Sequence, residues 1–223
     1  MIEELLFDVS EALRIPVLVL ALLALAVVVA EAGALLVELR RRRHRSLAGL
    51  ERAVEECRGR LAAGMQVEAV LALMPYAWNR QMEDAFAAVV EQAGRPHSEA
   101  RVAKRLAEYD YLSLRRLERT RILVRMGPAL GLMGTLIPLS PALAGLADGD
   151  VAILTDNLRV AFSVTVAGLM VGAVAFAIAL VRDRLYAQDY SDVEYVAATI
   201  LDSEPYNHPP AADALATERA FRG

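Results

Sequence analysis

Apolar and polar positions separate into long blocks along this chain. Residues 15–39 (IPVLVLALLALAVVVAEAGALLVEL), roughly 126–147, and 158–181 (LRVAFSVTVAGLMVGAVAFAIALV) are apolar almost throughout. An α-helix needs about 20 mostly apolar residues to cross a bilayer, so each block is predicted to be a membrane helix. The stretch between the first two differs. There apolar residues recur every three or four positions among charges, as at Leu47, Leu50, Val54, Cys57 and Leu61, the period of a helix with one buried face. Gly64 is placed to stop that helix, Pro75 to interrupt the next, Gly94 to end it, and Ser98 to cap a further one. Leu106, Tyr109 or Asp110, Leu114, Leu117 and Ile122 share one side of this last helix, which is expected to run unbroken into the second membrane helix.

The fold class that follows is an all-α integral membrane protein: three transmembrane helices with a helical cytoplasmic domain. The expected order is an outer N-terminal segment (1–14), the first membrane helix (15–39), the helical cytoplasmic domain (40–125) and the second membrane helix (126–147). A short outer loop (148–157), the third membrane helix (158–181), a cytoplasmic helix (182–201) and a Pro-rich, flexible tail (202–223) complete it. Composition agrees. Hydrophobic residues are 56% of the 223 and mean hydropathy is +0.36, too apolar for an ordinary soluble domain. The first apolar block is too long for a cleaved signal, and acidic rather than basic residues precede it (MIEELLFDVSE).

Charge supplies the orientation. Of the 24 Lys and Arg, 18 lie between Arg40 and Arg125. RRRHR directly follows the first membrane helix, Arg115, Arg116, Arg119, Arg121 and Arg125 lead into the second, and Arg182 and Arg184 close the third. Positive residues at helix ends mark the cytoplasmic side. The N-terminus is therefore expected outside and the C-terminus in the cytoplasm. Asp148, Asp150 and Asp156 fall in the outer loop. Beside a membrane helix, RRRHR reads as an anchor to anionic membrane lipids rather than as a nucleic-acid site.

Covalent chemistry is not expected. His44, His97 and His208 are too scattered for a metal or catalytic cluster, and the lone Cys57 excludes an internal disulfide or a Cys-based metal site. No phosphate-binding, zinc-protease, nucleophile-elbow or dinucleotide motif is present. The chain is thus read as a non-enzyme without cofactor or metal. Trp78, beside Asn79 and Arg80, is read as a core or subunit contact.

Two membrane helices have an unusual texture. The third carries Ala161, Thr165, Gly168, Gly172, Ala175 and Ala179 at alternating intervals of four and three; the second carries Gly127, Gly131, Gly134, Pro138, Pro141 and Gly145 at the same intervals. In lipid, small faces of this kind let backbones approach closely, so Gly127, Gly131, Gly134, Ala161, Gly168 and Gly172 are candidate packing positions. Thr135, Thr165 and Ser163 are hydroxyls within these spans. They either bond to their own backbone or line a polar path or meet a partner's carboxylate. At 1.5 Å per residue from the flanking arginines, Thr135 lies roughly 14–15 Å and Thr165 roughly 25 Å from the cytoplasmic side. Neither span contains Asp, Glu or Lys. Glu31 is the acidic residue well inside the first span. It snorkels to the interface, pairs with an arginine, or takes part in ion transfer.

GPALGLMGTLI (127–137) and VTVAGLMVGAVAF (164–176) resemble the second- and third-helix elements of the ExbB/TolQ/MotA proton-channel family, and the layout resembles its three-helix ExbB/TolQ branch. Pro138 stands where that family usually has Gly, and Val160 where an acidic residue is often found. The resemblance implies a homo-oligomer, a pentameric ring, in the inner (cytoplasmic) membrane. Such a ring surrounds two copies of an ExbD/TolR-like single-helix partner, whose aspartate carries the proton. It also implies energy transduction: ion motive force drives mechanical work on envelope partners, with Thr135 and Thr165 matching threonines near that aspartate. The alternative is a membrane scaffold that conducts nothing and assembles partners through its helical cytoplasmic domain.

Overall fold

The computed structural model describes residues 5, 8, 9, 11–44, 46–95 and 97–201. Half of the N-terminal segment over 1–14 and the whole tail over 202–223 lie outside the described residues. Six α-helices are described: α1 (Arg14–Arg41), α2 (Leu47–Ala62), α3 (Gln66–Leu73), α4 (Arg80–Gln92), α5 (Ser98–Ala147) and α6 (Val151–Leu201). Single 3-10 turns follow α1 (Arg42–His44) and α3 (Met74–Tyr76). Three of the helices, α1, α5 and α6, are long and apolar enough to cross a membrane.

The chain divides into two units. The first comprises Met1–His44 and Tyr111–Ala187, the second Arg45–Asp110 and Gln188–Gly223, so α5 and α6 each contribute to both. In the first unit α1 buries Val17, Ala21, Ala24, Val28 and Leu35, close to a heptad spacing. Of these, Val17, Ala24, Val28 and Leu35 pack with Leu130 of α5 and Val171, Ala175 and Ile178 of α6. Another side of α1 leaves Ile15, Leu22, Val29 and Leu36 exposed, seven residues apart. Such an exposed row of large aliphatic side chains suits contact with lipid tails, which are as apolar as leucine.

α5 continues through Pro128, Pro138 and Pro141. The connection expected over 148–157 is much shorter: α5 ends at Ala147 and α6 begins at Val151. Gly149 takes a left-handed φ of +78°, which glycine adopts at no steric cost. Asp150 Oδ1 then accepts from the backbone N–H groups of Ala152 and Ile153 at 3.0 and 3.1 Å, capping α6. The aspartate-bearing segment over 148–157 is thus mostly the first turns of a helix.

In the second unit, Ser46 caps α2 by accepting from Gly49 N at 3.2 Å, and Asn79 caps α4 by accepting from Met82 N at 2.9 Å. Gly64 (φ +77°) follows the end of α2, and Pro75 sits in the 3-10 turn that follows α3. The core gathers Leu50, Val54, Cys57, Leu73, Met82 and Phe86 with Val102 and Leu106 of α5 and Val193 and Val196 of α6. Trp78 is half-buried against it. Leu47, expected on the buried face of α2, is exposed instead, since it lies at the first residue of the helix, ahead of the packed turns.

Candidate functional site

Within the first unit, the glycines of α5 and α6 meet backbone to backbone. A Cβ on Gly127 would stand 2.6 Å from Gly168 O and 2.7 Å from Gly172 N; one on Gly168 would stand 2.5 Å from Gly127 O and 2.7 Å from Gly131 Cα. Gly131 faces Thr165, with Thr165 O at 3.3 Å from the same hypothetical carbon. Gly134 lies under the side chain of Val164, and Pro128 covers Gly172 with its ring. The candidate packing positions Gly127, Gly131, Gly134, Gly168 and Gly172 therefore face the opposite helix within one chain. At Gly127 and Gly168 no side chain fits between the two backbones, and at Gly131 a methyl would be a tight contact. Ala161 is buried on α6 in the same unit.

The three hydroxyls bond differently. Thr165 Oγ1 donates to a carbonyl, with Ala161 O at 3.0 Å in its own helix and Gly131 O at 3.3 Å across the seam. Thr135 Oγ1 donates to Leu132 O at 2.7 Å and Ser163 Oγ to Arg159 O at 2.8 Å, both within their own helices. Thr135 and Thr165 are half-buried, and Ser163 is exposed. Counting from the arginines set the two threonines about 10 Å apart in depth. The seam instead aligns Thr165 with Gly131, four residues from Thr135, or about 6 Å along a helix.

Glu31 is paired, but not with the arginines that follow its own helix. Arg182 of α6 places Nη1 2.5 Å from Glu31 Oε2 and 3.2 Å from Thr120 Oγ1 of α5. Its Nε stands 3.8 Å from Glu38 Oε2, beyond hydrogen-bond reach. Glu38 Oε1 accepts from Arg42 Nη2 at 2.8 Å, and Arg42 Nη1 lies 3.5 Å from Leu185 O. Arg182 and Arg42 are each 8% exposed and Thr120 is fully buried. Two carboxylates and two guanidiniums thus alternate, Glu31, Arg182, Glu38, Arg42, inside a bundle of apolar helices. Isolated charges would be costly there.

Arg182 and Thr120 escaped the reading of the sequence. Arg182 looked like one more helix-end arginine, and the inward side of α5 was sought among apolar residues. Along α5 the buried positions include Leu106, Tyr109, Ser113, Leu117 and Thr120, while Leu114 and Ile122 are exposed. The signal was available: Ser113 and Thr120 continue the period of Leu106, Tyr109 and Leu117. Among the described residues no three His, Cys, Asp or Glu side chains gather to hold a metal ion.

In the second unit, burial pushes the Cys57 thiol up to about 11 from 9.0, opposed by the nearby charge of Arg60. Such a thiol is a core hydrophobe and a poor nucleophile.

Comparison with known proteins bears on this geometry directly. The sequence model of the MotA/TolQ/ExbB proton channel family matches residues 61–194, which include the whole seam. No curated protein matches the chain.

Proposed function

Since the chain belongs to the MotA/TolQ/ExbB proton channel family, we propose that it is the ExbB/TolQ-like subunit of a proton-channel stator complex in the inner membrane. Five copies surround two copies of an ExbD/TolR-like partner with one membrane helix, and the partner's aspartate carries the proton. The N-terminus lies outside, and the second unit and C-terminus lie in the cytoplasm. Proton flow turns the two components against each other and delivers work to envelope proteins. The chain itself catalyses no covalent reaction and needs no cofactor.

The observation that carries this reading is the seam between α5 and α6. It joins two spans free of Asp, Glu and Lys and puts Thr165 and Thr135 about one helical turn apart in depth. A polar path built from hydroxyls and backbone carbonyls cannot itself bind and release a proton near neutral pH. It requires a titrating group from elsewhere, which the partner's aspartate supplies. Thr135, Thr165 and Ser163 would then solvate that carboxylate or the proton's path.

The test is reconstitution of the full chain with its co-expressed partner in liposomes containing a pH-sensitive dye, together with the mass of the purified complex. Proton uptake that follows an imposed gradient, and a mass of five chains plus two partners, are expected. A complex that assembles but passes no protons under any gradient would favour the non-conducting scaffold.

A further inference from the structure

Arg14 opens α1 at the end away from the arginine cluster, and a neutral group holds it. Its Nη2 donates to Asn157 Oδ1 of α6 at 2.9 Å. Asn157 is 8% exposed and is itself anchored, since its Nδ2 donates to Ile153 O at 2.9 Å. Arg42 and Arg182 both meet carboxylates. Among the described residues Arg14 forms no ion pair, and Asn157 is its one hydrogen-bond partner. A guanidinium carries five N–H donors in a planar fork. This one is half-buried, aimed by a buried amide, and left open to an anion that the described residues do not supply.

The side of α1 that follows Arg14 indicates which anion. Leu18, Leu22, Leu25 and Val29 succeed it at intervals of four, four, three and four, along one side of the helix. Leu22 and Val29 are exposed, and Leu18 and Leu25 are half-buried. From Arg14 to Leu25 is about 16 Å at 1.5 Å per residue, close to half of a hydrocarbon core about 30 Å thick. A fatty-acyl chain can therefore lie along these side chains through one leaflet, with its phosphate at Arg14. Three residues before Arg14, on the same side, Glu11 is exposed and forms no ion pair among the described residues. Asp156, beside Asn157, is exposed as well. These carboxylates repel an anionic headgroup and attract the cationic end of a zwitterionic one.

We propose that Arg14, held by Asn157, binds the phosphate of a phosphatidylethanolamine molecule in the leaflet that α1 enters at its N-terminal end. The lipid's ammonium, two carbons beyond the phosphate, meets Glu11, and one acyl chain lies along Leu18, Leu22 and Leu25. Guanidinium and phosphate join through paired, charge-assisted hydrogen bonds. The site needs only that α1 cross the bilayer, so it stands apart from the channel reading.

Native mass spectrometry of the full chain in detergent, titrated with phosphatidylethanolamine or phosphatidylglycerol, tests this. At the tightest site per chain, phosphatidylethanolamine should bind Arg14→Gln about tenfold more weakly than the parent. Arg159→Gln, which alters an exposed arginine of α6, should bind it as the parent does. Phosphatidylglycerol, which lacks the ammonium, should bind the parent more weakly than phosphatidylethanolamine, and Glu11→Gln should remove that difference. Equal binding of phosphatidylethanolamine by the parent and Arg14→Gln overturns the site. Equal or tighter binding of phosphatidylglycerol by the parent overturns the headgroup. A structure of the unaltered chain in phosphatidylethanolamine nanodiscs depends on no variant folding. A lipid phosphate about 3 Å from the Arg14 guanidinium is expected there. An empty fork, or a carboxylate of this chain or of a second copy seated in it, overturns the proposal.

Discussion

The Thr165 hydroxyl stands 3.3 Å from the Gly131 carbonyl, joining α6 to α5 across a seam where no side chain intervenes. That one contact ties the chemistry of the spans to their packing. The hydroxyl reaches the opposite backbone because glycine lets the two helices come together.

Gly168→Ala should therefore be severe. Its new methyl would lie 2.5 Å from Gly127 O and 2.7 Å from Gly131 Cα, both backbone atoms that cannot swing aside. Forcing the helices apart should destabilise the chain by about 1–3 kcal/mol or more, seen as a lower melting temperature in detergent. Gly33→Ala is the control. Nothing lies within 4 Å of its Cβ position, and the exchange should be neutral or stabilising by up to about 1 kcal/mol.

The two threonines should separate under isosteric substitution. Thr165→Val removes a bond across the seam, worth about 0.6 kcal/mol in comparable membrane helices, and should lower the melting temperature slightly. Thr135→Val removes only a bond within its own helix and should leave the melt almost unchanged. If Thr135 serves the proton path, the same variant should lose proton flux by about tenfold, a change of about 1.4 kcal/mol in the barrier. Unchanged flux in the Thr135→Val, Thr165→Val double variant would remove both hydroxyls from the path.

In the second unit, Gly49→Ala would place a methyl 2.6 Å from Tyr76 Oη and 3.0 Å from its Cε1. The tyrosine ring must shift, and the variant should melt earlier. Tyr76→Phe removes the nearest atom and should restore part of the loss. A Gly49→Ala chain as stable as the parent would show that the ring moves freely.

Cys57 should resist alkylation in the folded chain. With the thiol pushed up to about 11 from 9.0, its thiolate fraction at pH 8 falls on the order of a hundredfold. The sign for stability follows from the same difference. Unfolded chains lose this proton first as pH rises, so the contribution is fully present below pH 9 and is lost progressively between pH 9 and about 11. Alkylation rates with and without denaturant, and melts across that interval, check both. Cys57→Ala should flatten the alkaline loss.

Much of the fold was legible because apolar length and helical period are local properties. The apolar blocks, the break at Pro75 and the unbroken run from Ser98 into the second apolar block needed no knowledge of neighbours. The seam was half legible. Glycine spacing marked which faces could approach closely, but not that the stripes of α5 and α6 face one another within a single chain. That Glu31 would pair with an arginine was among the readings of the sequence, but which arginine was not legible. Its partner Arg182 is 151 positions away, and nothing local distinguishes a helix-end arginine that faces water from one that turns inward. The extent of the 148–157 connection was misjudged because Asp150 was read for its charge, whereas its carboxylate caps a helix.

The turn from Asp148 to Asp150 also governs how strong the seam must be. Two separate chains would have to find each other by diffusion in the membrane plane before their glycines could meet. Joined by so short a connection, α5 and α6 meet at an effective concentration far above that of free helices. Weak contacts therefore suffice to close the pair. Lengthening the turn with a flexible insert should slow closure of the pair without altering a single contact in the seam.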